Sequence, residues 1–130
     1  MLGIKYEGQP VPLQADPTFW AAPKEEIDKH AQGCGPGPIG DYFVPDSVWG
    51  GLSIKRACRI HDWEYHIGID KDFADETFKD NMERIIITNT KWNWLKTLRM
   101  AQANLYYKVV SYAGDHAYAV DKNNKNINYI

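Results

Sequence analysis

The chain has 130 residues, enough for one domain with a hydrophobic core. It is 44% hydrophobic and 25% charged, the balance of an ordinary soluble protein, and its formal charge of -2 argues for neither a nucleic-acid partner nor an anionic membrane held by net charge. No apolar run reaches the ~18 residues of a membrane span, and the opening MLGIKYEGQPVPLQ lacks the basic start and continuous apolar segment of a secretory signal.

Residues 1–22 scatter Pro10, Pro12 and Pro17 among apolar and polar positions, which predicts an extended arm or short strand rather than a helix. Pro23 followed by KEEIDKHA predicts one or two helical turns, with Glu25 and Glu26 near the positive end. Residues 33–51, GCGPGPIGDYFVPDSVWGG, hold six Gly and three Pro, a composition expected to exclude a regular element and form a long loop.

Ser53 is a plausible N-cap for the next helix, about fifteen residues long and ending near Gly68. Ile54, Ala57, Cys58, His61 and Tyr65 fall on one of its faces. The turn GIDKD leads to a second helix from about Asp72, with Asp75, Phe78, Met82 and Ile85 on its face and Phe73 and Ile86 alongside. So short a turn predicts antiparallel neighbours. Residues 88–90, TNT, are expected to break that helix. A third follows from KWNWLK, with Leu95, Leu98, Gln102, Leu105 and Val109 on one stripe and Gly114 as its stop. The polar tail DKNNKNINYI is expected to be mobile. The predicted fold class is therefore mainly α: two antiparallel helices carrying the chemistry, a glycine-rich loop, a third C-terminal helix and an extended N-terminal arm, in a single domain over residues 1–130.

Two carboxylates and one imidazole stand out. His61 lies on the apolar face of its helix, and Asp75 lies on the apolar stripe of the next, where a carboxylate is costly without a partner. If the helices are neighbours, Asp75 faces His61, sets its tautomer and leaves the other ring nitrogen as a base; the bland alternative is a buried structural pair. Asp62 is about 100° further round the helix and points elsewhere. A carboxylate beside a glycine-rich loop suits a hard cation such as calcium, which takes six to eight oxygens, many of them backbone carbonyls. Cys34 lies in the loop and Cys58 one turn before His61; one disulfide and two separate thiols are both open.

Taken together, Cys34-Gly35-Pro36-Gly37 and Ala57-Cys58-Arg59-Ile60-His61-Asp62-Trp63-Glu64-Tyr65 resemble the phospholipase A2 superfamily of calcium-dependent lipid hydrolases. With Ala74-Asp75-Glu76-Thr77-Phe78 they look most like its compact form in parvovirus capsid proteins. The resemblance covers residues 33 to about 86. It implies His61 as the general base, Asp75 as the carboxylate behind it, Tyr65 as support for Asp75, and Asp62 with the carbonyls of Gly33, Gly35 and Gly37 as calcium ligands. It also implies the Gly35 N–H as an oxyanion donor and a Cys34–Cys58 disulfide. The implied reaction is hydrolysis of the sn-2 ester of a glycerophospholipid at a membrane surface met peripherally. The implied setting is secreted or virion-delivered rather than resident in the cytoplasm, as a monomer or a component of a larger particle.

The sequence departs from that pattern where Ala57 and Glu64 replace cysteines and where the loop after Gly37 is longer than in the secreted enzymes. Phe43, Val48, Trp49, Trp92 and Trp94 are candidates for an apolar rim, although at least half of the tryptophans are expected in the core. Three other readings compete: a catalytically silent module on the same scaffold, a zinc or two-metal phosphohydrolase built on His61-Asp62 with His66 or His30, and a particle component whose lipase activity is incidental. His66 is five positions from His61 and points about 140° away, which argues against the second.

Overall fold

Backbone chemistry at Asp16 starts the first regular element. Its carboxylate accepts from Thr18 N at 2.9 Å, and Pro17 has no N–H to leave unsatisfied, so a short helix α1 runs over Pro17–Ala21 inside the arm expected to be extended. The computed structural model describes residues 8–31 and 44–129, with side chains as far as Tyr112. Within these limits the protein is mainly helical with one small antiparallel sheet. Helix α2, Lys24–His30, forms as its acidic start and basic end predict.

Residues 44–53 are more regular than their glycine content suggests. Strands β1 (Ser47–Val48) and β2 (Leu52–Ser53) pair antiparallel around a 3-10 turn at Trp49–Gly51. Gly50 and Gly51 have φ of 80° and 84°, so the glycines make the hairpin rather than prevent it. Val48 and Leu52 bury their side chains, which places Val48 in the core and not on a rim.

Helix α3, Lys55–His66, is central. Ile54 is its N-cap residue, and Ser53 lies in β2 with its hydroxyl accepting from Lys55 N at 3.2 Å. One side of α3 joins the main core through Ile54, Ala57, Cys58 and Ile60. The other places Trp63 against Ile27 and Ala31. Burial on both sides explains why Asp62 and Glu64 are also sequestered.

Helix α4, Lys71–Asn89, begins at the Asp70 cap and continues through Thr88 and Asn89, so the expected break falls at Thr90. Asp75, Phe78, Met82, Ile85 and Ile86 are buried as their spacing predicts, but Phe73 is 60% exposed. Two asparagines on α4 hold the N-terminal arm. Asn81 accepts from Gln14 N at 2.8 Å and donates to Gln14 O at 2.7 Å, while the Asn89 carboxamide oxygen accepts from Gln9 N. Gly8, with φ of 76°, passes so close to Asn89 that a Cβ would lie 2.7 Å from Asn89 Oδ1.

Helix α5, Asn93–Tyr129, passes through Gly114, where a stop was expected, and takes in the tail expected to be mobile. A helical glycine costs only about 1 kcal/mol relative to alanine, and no proline follows to enforce an end. The stripe it buries is Arg99, Ala103, Tyr106 and Val110, and Leu98 and Leu105 are exposed. Polar bonds set that rotation. Arg99 donates to Trp49 O, Asn89 O and Thr90 Oγ1, and Tyr106 OH donates to Ser47 O. Among the described residues no helix is long and apolar enough to cross a membrane.

Candidate functional site

His61 and Asp75 come together. His61 Nε2 lies 2.7 Å from Asp75 Oδ1, with the two side chains 3% and 1% exposed. Tyr65, one turn after His61, donates its hydroxyl to the same oxygen. The imidazole sits between the rings of Tyr65 and Phe78, at centroid distances of 4.3 and 4.8 Å. Ring and carboxylate are therefore fixed in orientation, and Nδ1 is the ring nitrogen not engaged by Asp75.

The other oxygen of Asp75 has a partner absent from the sequence reading. Lys71 Nζ donates to Asp75 Oδ2 at 2.5 Å from a position 8% exposed. Burial pushes the Asp75 carboxyl up, but hydrogen bonds from His61, Lys71 and Tyr65 outweigh it and leave the group below its ordinary value. The cue was present: Lys71 and Asp75 are four apart on one helix, the spacing at which side chains meet. The helix begins at Lys71, one residue before the start its sequence predicts, and so takes the lysine out of the turn.

Glu64 is the second group missed. It is 1% exposed; Oε2 accepts from Asp16 N at 3.0 Å, and Oε1 has no hydrogen-bond partner among the described residues. Burial pushes its carboxyl up to about 7, against the lowering effect of the Asp16 N–H and with a further push from the Asp16 charge. No spacing argument points to it, because its burial depends on α1 covering α3.

Asp62 is 7% exposed, beside His61 on α3. The other proposed calcium ligands, Gly33, Gly35 and Gly37, lie outside the described residues, as do Cys34 and Phe43. Cys58, 4% exposed, is not a free thiol. Among the described residues no group of three or more His, Cys, Asp and Glu could hold a metal ion. His66 instead stacks on His30, with ring centroids 3.9 Å apart and planes 8° from parallel.

The tryptophans depart from expectation. Trp63 is buried, but Trp20, Trp49, Trp92 and Trp94 are 56–64% exposed. Trp92 and Trp94 follow the far end of α4, fourteen residues and so about 21 Å along the helix from Asp75 to Asn89. Trp49 joins that end, since its N–H donates to Gln102 and its carbonyl accepts from Arg99. These aromatics therefore do not rim the His61 site. Comparison of the sequence with family models and curated proteins, and of the fold with solved structures, finds no significant match.

Proposed function

We propose that the chain is a calcium-dependent hydrolase of the phospholipase A2 type, cleaving the sn-2 ester of glycerophospholipids. The observation that carries this reading is the buried contact between His61 Nε2 and Asp75, braced by Tyr65. A carboxylate on one ring nitrogen holds the tautomer that leaves Nδ1 able to take a proton, the requirement for a general base.

In this mechanism the catalytic helix pair is α3 and α4. His61 removes a proton from a water molecule as its oxygen forms a bond to the sn-2 carbonyl carbon. The imidazolium is stabilised by Asp75, and the Gly35 N–H stabilises the tetrahedral oxyanion. His61 then returns the proton to the departing lysophospholipid oxygen as the ester C–O bond breaks and the fatty acid is released. Asp62 would supply the side-chain ligand for Ca2+, with the carbonyls of Gly33, Gly35 and Gly37. Bound there, the ion would contribute Lewis-acid stabilisation of the developing charge.

The test is fatty-acid release from mixed phospholipid micelles, in millimolar calcium and then in excess chelator, by the wild type and by His61→Ala. Release that requires calcium and is lost in the variant is expected. No release by the wild type in calcium would sink the hydrolase reading and favour the silent module.

A further inference from the structure

On the opposite side of α3 from Asp75 lies a cavity of about 260 Å³. Phe19, Ile27 and Ile60 form its apolar walls, and Trp20 stands over it, 57% exposed and edge-on to Phe19 at 5.0 Å. The charged residues that line it are all basic: Lys24, Arg56 and Arg59. Arg59 gives one guanidinium nitrogen to Asp28 and another to the Ala31 carbonyl; Arg56 donates to the Val11 carbonyl. Asp28 pairs with Arg59, and among the described residues no carboxylate lines the cavity beside Lys24 and Arg56, so a positive surplus remains at the mouth of an apolar hole.

The walls are held by bonds between elements. Trp63 Nε1 donates to Thr18 Oγ1 at 3.0 Å and Asp16 N donates to Glu64, fixing α1 on α3. The Arg59 bonds to Asp28 and Ala31 fix α2 on α3. An apolar cavity with a few convergent polar groups on rigid elements is the usual form of a small-molecule site. It is separate from the His61 site: Ile60 lines it, whereas His61, about 100° further round, faces α4.

We propose that this cavity binds a small anionic amphiphile, with an acyl or alkyl tail against Phe19, Ile27 and Ile60 and a carboxylate or phosphate head between Lys24 and Arg56. An anionic head satisfies the surplus charge, and an apolar tail removes Trp20 and Phe19 from water. This binding requires neither calcium nor hydrolysis, so it stands or falls independently of the proposed activity.

The test is calorimetric titration of the full chain in chelator with octyl phosphate, octanoate, inorganic phosphate and octan-1-ol, all below aggregation. One-to-one saturable binding of octyl phosphate or octanoate is expected, at least tenfold tighter than inorganic phosphate or octanol; the tighter of the two acids identifies the head. The double variant Lys24→Ala/Arg56→Ala, at exposed positions and checked for fold by circular dichroism, should weaken it at least tenfold. His61→Ala should leave it unchanged. Absence of saturable binding, equal binding of inorganic phosphate, or binding unaffected by the double variant would each overturn the proposal.

Discussion

Replacing Asp75 with alanine is expected to lower the unfolding free energy by about 3–5 kcal/mol, the usual cost of removing one partner from a buried ion pair. Asp75 is 1% exposed and accepts from three side chains: His61, Tyr65 and Lys71. Its loss takes the nearer carboxylate from the Lys71 ammonium, 8% exposed, leaving the exposed Asp72 at 3.9 Å, and removes the acceptor that orients His61. Lys71→Met in the Asp75→Ala background should recover part of the loss, because a poorly compensated buried charge is gone. Urea unfolding of the two single variants and the double variant measures this coupling. An Asp75→Ala protein within 1 kcal/mol of the wild type would show that the cluster contributes little. If His61 is the base, the same variant should also lose activity about 100-fold or more, since the imidazole is no longer held in the required tautomer.

Glu64 should make the protein less stable as the pH rises from acid to neutral. The folded-state value of about 7 lies above the ordinary 4.5, so the folded protein retains a proton that the unfolded chain releases. The stabilising difference is fully present below pH 4.5 and is lost as the pH rises through about 7. Its size is on the order of 3 kcal/mol. Glu64→Gln keeps an acceptor for Asp16 N and cannot ionise, so it should match the wild type near pH 4.5 and exceed it by most of that amount at pH 8. Unfolding midpoints at the two pH values decide the matter; equal pH slopes for both proteins would remove Glu64 as the source. Asp75 acts in a different window. Its value is depressed, so its contribution is present above 3.8 and is lost only as the pH falls through the lower folded value.

The two groups differ in how visible they are in the sequence. Asp75 was legible because a carboxylate on an apolar stripe needs a partner, and the helix periods of 54–65 and 75–85 are strong enough to bring it to His61. Glu64 was not, because the partner that buries it lies 48 residues earlier in the chain. Its carboxylate receives the Asp16 N–H and ties α1 to α3.

By itself, then, the sequence determined a helix at residues 24–30, one ending near Gly68 and one from about Asp72, and the meeting of His61 with Asp75. Local periodicity and a short turn leave little choice there. Tertiary structure decided the rest. It made a hairpin of a glycine-rich stretch, because Val48 and Leu52 gain a core to enter. It rotated α5 away from its leucines, because Arg99 and Tyr106 find partly buried carbonyls contributed by distant segments. It drew Lys71 inward because Asp75 was already buried there. Period counts assign faces by hydrophobicity, and a polar group with a distant partner is invisible to them until the chain has closed around it.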